Sequence, residues 1–545
     1  MLFRSDRKIL LTTDPIKDVP HDVKTIFNAQ QVAVSGTIID AATKAPMPGV
    51  NVVVKGTTIG TLTDANGKYS LPLTDTKNAT LVFSFIGYGT KEIQVAGRSV
   101  VDGSLTAEIT GLDEVVVIGY GTQRKSDITG TVASLSEDRL AEIPQVNVAQ
   151  AVQGSIPGVM IQTTSAGAAS SEVILIRGRN SITASNNPLI VVDGIPYGGN
   201  LMDINTNDVK SIEVLKDASA VAIYGSRGSN GVILITTKTG IIGAPRLLYD
   251  GYVSIQGYYN LPDIMDGAEF YNYKMQLVPE LMSQEETEIY EAGTWEDWYD
   301  IVTRTGITQH HNLSVSGATQ STKYYISGAL LDVRGLTLND DLLRVTSRIN
   351  VDTELNSWLT IGTRTQFSYN DQSGESPSWS QAFSMNPLTR AYDENGNINV
   401  YPWKNNPYYG NPLAGSLYDN IDESYQILTN NYAIIKFPFI EGLNYRINTG
   451  FRFRFSDEAT YRGRNTKQGL ELGGSSDANR ERFNNSVIEN ILTYNREFNK
   501  HTIFASAVYS FEHDKSSSHS LHAEKYPNDF LSWYASAQAE LRSPS

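Results

Sequence analysis

The run Val345-Thr346-Ser347-Arg348-Ile349-Asn350-Val351-Asp352 decides how the chain reads. On an extended backbone successive side chains point to opposite faces. Val345, Ile349 and Val351 therefore share one face, and Thr346, Arg348, Asn350 and Asp352 the other. The same beat recurs through the second half of the chain. Leu313 and Val315 oppose Asn312, Ser314 and Ser316, while Leu359 and Ile361 oppose Thr360, with Arg364 and Gln366 further along. Phe451, Phe453 and Phe455 alternate with Arg452 and Arg454, and Ile503, Ala505, Ala507, Tyr509 and Phe511 lie opposite Ser506 and Ser510. Alternation alone fits any half-buried antiparallel sheet. Arginine and aspartate against aliphatic and aromatic groups suit a wall with water on one side and lipid on the other.

Further residues are expected to complete that wall. Tyr258, Tyr259, Tyr324, Tyr325 and Tyr369 near strand ends suit an aromatic girdle. The polar stretches 371–378 and 463–484 suit external loops. Trp379 and Trp403, in polar surroundings, are read as loop anchors in preference to sugar-stacking platforms. His310 and His311 make no metal pair, because strand neighbours face opposite ways.

Composition narrows the function. The 545 residues allow two to four domains, and 44 glycines with 29 tyrosines lean toward β-structure rich in turns. The absence of cysteine removes disulfide frameworks and thiol chemistry. A net charge of −15 argues against a nucleic-acid partner. No long apolar run offers a transmembrane helix, and Ile9-Leu10-Leu11 is too short for a signal-peptide core.

Working toward the N-terminus, residues 111–240 mix apolar strands with glycine turns. Ser211 to Leu215 alternates as a strand, and Asp217 opens a short helical turn. Gly225, Gly228 and Gly231 permit tight turns before the strand Val232 to Thr237. Gly225 to Gly231 lacks the Gly-Lys-Ser/Thr ending of a phosphate loop. Asp193-Gly194 reads as a hairpin turn. Arg177, Arg179 and Arg227 stand beside glycines and pair either with acids in a polar lumen or in ordinary loop salt bridges. Glu114-Val115-Val116-Val117-Ile118-Gly119-Tyr120 is a β-branched run between charges and glycines. It is either the last strand of the preceding domain or a free segment able to add to a partner sheet.

Residues 32–110 hold about seven short strands, the pattern of a small sandwich. Asp64-Ala65-Asn66-Gly67 is expected to turn a hairpin. Its glycine falls too early for a calcium loop.

These stretches also carry a resemblance. "VSGTIIDAATKAPMPGVNVVVKGTTIGTLTDANGKYSLPL" resembles the carboxypeptidase-regulatory-like domain, a module without peptidase chemistry. "LDEVVVIGYGTQ" resembles the TonB-box region of SusC/RagA transporters. "VAQAVQGSIPGVMIQ", "SEVILIRGRNSITASNNPLIVVDGIPY" and "DVKSIEVLKDASAVAIYGSRGSNGVILITTK" resemble the plug of TonB-dependent receptors, and "HHNLSVSGATQSTKYYISGALLDVRG" their early barrel strands.

The resemblance implies a mainly β chain with an N-terminal β-sandwich (32–110), a TonB-box region (111–125), an α+β plug domain (126–240) and the first part of a transmembrane antiparallel β-barrel (247–545). Glu114 to Tyr120 is then the TonB-binding handle. Arg177, Gly178, Asp193, Gly194, Lys216, Asp217, Tyr224, Gly225, Arg227 and Gly228 carry the plug motif. A full barrel of about 22 strands needs on the order of 600 residues, so the chain is expected to be the front part of a longer one. Residues 1–31 faintly resemble the end of a small periplasmic domain. The resemblance further implies import of an oligosaccharide or oligopeptide across a Gram-negative outer membrane, surrounded by its lipid. TonB with its inner-membrane energising complex and a SusD-like surface lipoprotein are the implied partners. No catalytic residue, metal or cofactor is expected. The competing reading is a TonB-linked surface receptor for signalling.

Overall fold

The computed structural model describes residues 32–106 and 132–544, apart from 42, 58, 86–87, 143–145, 164–166, 170–171, 260 and 499–500. It also describes four short strands, β1 (Phe3–Ser5) paired with β2 (Lys8–Leu10), and β10 (Val115–Ile118) paired with β11 (Gly121–Arg124). The rest of the expected segment 1–31 lies outside the described residues. The chain forms two compact units, Met1–Glu114 and Val115–Ser545.

The first unit is a two-sheet sandwich. β6 (Lys68–Leu73), β3 (Val32–Asp40) and β9 (Gly103–Leu105) make one sheet; β5 (Gly60–Leu62), β4 (Asn51–Val54), β7 (Thr80–Ser84) and β8 (Lys91–Gln94) make the other. Alternate residues such as Val34, Ile38, Val52, Leu71, Leu81 and Phe83 fill the space between them. Asp64 to Gly67 does turn the chain, with Gly67 at φ +72° and Asp64 Oδ1 accepting from Asn66 and Lys68 N–H. It is not a hairpin, however, because β5 pairs with β4 and β6 with β3. The turn arches between sheets because Gly67 O accepts from Ile38 N–H, which ties it to β3.

In the second unit the plug is built on a five-stranded sheet. Its order is β12 (Val132–Ser136), β17 (Val209–Leu215), β18 (Val232–Thr237), β15 (Leu189–Val192), β16 (Ile195–Pro196), with only β15 and β18 parallel. β13 (Val159–Thr163) and β14 (Glu172–Ile176) form a separate hairpin. Ile212 to Leu215 are all buried, so the alternation expected there gives way to a strand covered on both faces.

Around the plug runs a ten-stranded antiparallel meander from β19 (Gly243–Gln256) through β20 (Gly306–Ala318), β21 (Thr322–Arg334), β22 (Asp341–Asn356), β23 (Leu359–Asp371), β24 (Asp419–Lys436), β25 (Leu443–Arg462), β26 (Ser475–Phe498) and β27 (His501–Glu524) to β28 (Leu541–Pro544). Short turns at 319–321, 357–358 and 437–442 cluster at one end, and long connections at 257–305, 372–418, 463–474 and 525–540 at the other. The expected two faces are present. Thr346, Arg348 and Asn350 are buried toward the plug, while Ile349 on the opposite face is 46% exposed. Leu313, Ile427, Phe451 and Ile488 share that outer face. No helix among the described residues is long and apolar enough to cross a membrane, but the nine strands before β28 exceed the roughly 9–11 residues a tilted strand needs.

Several details depart from expectation or refine it. Residues 475–484 belong to β26, not to a loop, because so long a strand projects beyond any bilayer and stays polar on both faces. Tyr325 cannot join a girdle: it points inward, since its neighbour Tyr324 takes the outer side. Tyr258 packs against Trp379 at 5.0 Å within the long connections. There Trp379 donates to Thr337 Oγ1 (3.0 Å), and Trp403 stacks on Tyr409 at 5.6 Å, so both tryptophans anchor loops. His310 is buried against Tyr252, whereas His311 meets Tyr249 on the other face.

Candidate functional site

The site is the seam between plug and wall, and the plug brings three carboxylates to it. Asp193 sits in a two-residue turn with Gly194, both at positive φ (+50° and +89°), between the paired strands β15 and β16. The turn aims Asp193 Oδ1 back at Thr237, whose N–H donates at 2.9 Å. Asp203 and Asp208 close two short 3₁₀ turns, Leu201–Asp203 and Thr206–Asp208. Each turn starts at an asparagine, Asn200 or Asn205, whose side chain accepts from the backbone two residues on.

The wall answers with donors. Asp208 accepts from Tyr325 Oη (2.9 Å), Ser327 Oγ (2.6 Å) and Arg348 Nε (3.4 Å). Arg348 also reaches Asp193 Oδ2 at 3.6 Å and donates to Gln366 Oε1. Asp203 accepts from Asn370 (2.8 Å), Gln426 (3.2 Å) and the plug's own Tyr197 (3.1 Å). Asn350 and Asn430 donate to Lys238 O (2.8 Å) and Asp193 O (2.9 Å), and Arg344 to Met202 O (2.6 Å). These amides turn their NH2 groups to the plug, and the oxygens of Asn350, Asn370, Gln426 and Asn430 meet no hydrogen-bond partner among the described residues. The hydrogen bonds of this seam can be exchanged with water one for one as it parts, which a packed apolar contact cannot.

The plug-motif residues divide between this seam and the plug itself. Asp193 and Gly194 belong to the seam. Arg227 pairs with Glu512 on β27, which ties the glycine loop to the wall. Arg177 pairs instead with Asp217 inside the plug, and Lys216 donates to Pro157 O at 2.9 Å. Arg177 and Gly178 have positive φ (+58°, +92°), and Gly225 adopts φ +60° with ψ −146°. Gly228 lies against Val221 O, where a Cβ would sit at 3.0 Å. Tyr224 is buried with Val191 and Leu234. Arg179 is exposed. The sequence reading left Asp203 and Asp208 unmarked, placed Tyr325 in a girdle and read Gln366 only as part of a polar face; the signal available was two Asn-x-x-Asp turns facing a polar stripe of wall. A cavity of roughly 430 Å3 adjoins the seam toward the short-turn end, lined by Gly194, Tyr224, Arg364, Tyr432, Lys436 and Arg446 among others.

Val115–Ile118 is no part of the sandwich sheets: it forms a separate hairpin with Gly121–Arg124. Glu114, Gly119 and Tyr120 lie outside the described residues.

Comparison with known proteins follows this division. Residues 34–117 match the CarboxypepD_reg-like domain, and residues 124–232 the TonB-dependent Receptor Plug Domain. The chain is 34% identical over 510 residues to TonB-dependent receptor P3 of Formosa agariphila, covering 89% of this chain and 48% of the relative. It is 38% identical over 332 residues to TonB-dependent receptor SusC of Bacteroides thetaiotaomicron, covering 59% and 32%. The solved RagAB peptide transporter superposes with a TM-score of 0.66 at 24% identity, over 77% of this chain and 52% of that one, a likeness of fold. The chain spans about half the length of P3 and of that structure, and less of SusC.

Proposed function

The chain belongs to the SusC/RagA-like TonB-dependent receptors, and from that premise we propose that it supplies the plug and adjoining wall of an outer-membrane importer for an oligosaccharide or oligopeptide. The observation that carries this reading is the seam itself. Three plug carboxylates, Asp193, Asp203 and Asp208, are held by lumen-facing donors of the strand wall. Such a cork is located firmly, yet the hydrogen bonds that hold these carboxylates can be exchanged with water as it comes free.

The short-turn end is periplasmic and the long-loop end extracellular, the usual asymmetry of such barrels. TonB, driven by its inner-membrane complex, takes the segment Glu114 to Tyr120 by strand addition and pulls on the plug. The hairpin of Val115–Ile118 with Gly121–Arg124 supports this, because a two-stranded ribbon keeps an outer edge for a third strand. A SusD-like lipoprotein covers the extracellular mouth. The work is transport, with no covalent step.

Val116→Pro tests the handle, since proline removes a backbone donor from the strand. In cells producing the full-length receptor, uptake of labelled cargo should fall to the level of a strain without TonB, while surface binding stays unchanged. Undiminished uptake rejects the assignment.

A further inference from the structure

Arg452 stands apart from the other buried arginines of the wall. Arg348 faces two carboxylates, Arg364 makes a bidentate pair with Asp352, and Arg344 donates to Met202 O. Arg452 is only 7% exposed, yet among the described residues it makes no hydrogen bond and no ion pair. Its guanidinium lies 4.3 Å from the Phe483 ring centre and 5.7 Å from that of Tyr197 in the plug. Gly198 and Gly199 of the plug pack against it: a Cβ on Gly199 would stand 2.9 Å from Nη1, and one on Gly198 3.4 Å from Nη2. Two residues nearer the long-loop end, on the same face, Arg454 likewise makes no ion pair among the described residues. The two acids whose charges act on Arg452, Asp203 and Asp514, are already engaged. Asp203 accepts from Tyr197, Asn370 and Gln426, and Asp514 from Asn485.

A desolvated guanidinium without a counter-ion is costly unless an anion arrives to complete it. Stacking on aromatic faces leaves the in-plane N–H fork open, and that fork matches a carboxylate bidentately. We propose that Arg452, assisted by Arg454, is the recognition site for a carboxylate group of the cargo, on the extracellular face of the plug. The imported oligomer is therefore acidic. This rests on the import reading above. Because Gly198 and Gly199 touch the same guanidinium, an occupied site bears directly on the plug backbone.

The test uses full-length receptor in detergent, with trigalacturonate, galactotriose, triglutamate and triglutamine as probes for calorimetry. At least one acidic probe should bind tenfold or more tighter than its neutral counterpart, and the pair that does so separates sugar from peptide. Arg452→Met should abolish that preference, and Arg452→Lys should retain part of it. In wild-type receptor, raising salt from 50 to 500 mM should weaken the acidic probe alone, a measurement that needs no variant. Equal affinity for acidic and neutral probes, binding of neither acid, or a preference that survives Arg452→Met overturns the proposal. Uptake that depends on TonB but ignores charge would sink this inference and leave the import reading standing; uptake independent of TonB would sink the import reading.

Discussion

Asp208 of the plug and Arg348 of the wall meet at 3.4 Å with side chains only 1% exposed. They come from positions 140 residues apart, in different layers of the fold. Tyr325 and Ser327 complete the shell of Asp208, and Asp193 and Gln366 that of Arg348.

Removing one partner of such a pair leaves a buried charge uncompensated, at a cost of about 3 kcal/mol or more. Arg348→Met should therefore loosen the plug, and amide hydrogen exchange in Val209–Leu215 and Val232–Thr237 should quicken by roughly 100-fold. Adding Asp208→Asn should recover part of the loss. Unchanged exchange in the single variant would show that the pair does not hold the plug.

The outer face makes a different demand. Ile349 stands midway along β22, flanked by Ile326 on the neighbouring strand. Ile349→Lys should destabilise insertion by about 2 kcal/mol or more if the residue faces hydrocarbon, seen as lost heat-modifiable barrel on gels of outer membranes. Ile349→Val should be silent. Equal tolerance of lysine and valine would place this face in water.

Gly67 is needed for two reasons, and Gly97 for one. Both have positive φ, but a Cβ at Gly67 would meet Ile38 O at 2.5 Å and Met47 N at 2.9 Å, whereas nothing lies within 4 Å at Gly97. Gly97→Ala should cost about 1–2 kcal/mol from the backbone alone; Gly67→Ala should cost clearly more. Hydrogen exchange in Val32–Asp40 compares the two, and similar effects would discount the steric contribution.

The long connections carry a pH-dependent element. Lys274 and Glu286 pair at 2.6 Å, both buried, and Asn386 donates to the same Glu286 carboxylate. Burial alone raises the Glu286 carboxyl, but the hydrogen bonds from Lys274 and Ser283 outweigh it and hold the group below its ordinary value. Its stabilising contribution is thus complete above the unfolded value of about 4.3 and is lost as pH falls through the lower folded value. Hydrogen exchange in Gly267–Leu277 and Gln284–Ala292 should rise as pH is lowered through that range, after correction for intrinsic rates. Glu286→Gln should remove the dependence, and an unaltered profile in that variant would assign it elsewhere.

Much of this was legible because local chemistry repeats. The beat of Val345 to Asp352 named both faces of the wall correctly, since the pleat gives a sequence no other way to sort polar from apolar. Asp193-Gly194 announced its turn through the positive φ that glycine tolerates. The hairpin expected at Asp64 to Gly67 failed for the complementary reason. A turn signal fixes the bend but says nothing of which strands pair beyond it, and here Ile38 draws the chain into the other sheet. Tyr324 and Tyr325 looked alike until register put one outside and one against Asp208.

From the residues alone came the kind of surface each segment presents: the alternating wall, the apolar plug strands, the glycine turns and the β-branched run at Val115. Those follow from side-chain periodicity and backbone sterics, which act over a few residues. Which carboxylate meets which donor, why Arg364 is paired and Arg452 is not, and how Gly198 and Gly199 come to lie on a guanidinium were decided only when plug and wall closed on each other. Contacts between chain segments up to hundreds of residues apart depend on the packing of whole layers, and no local pattern encodes them.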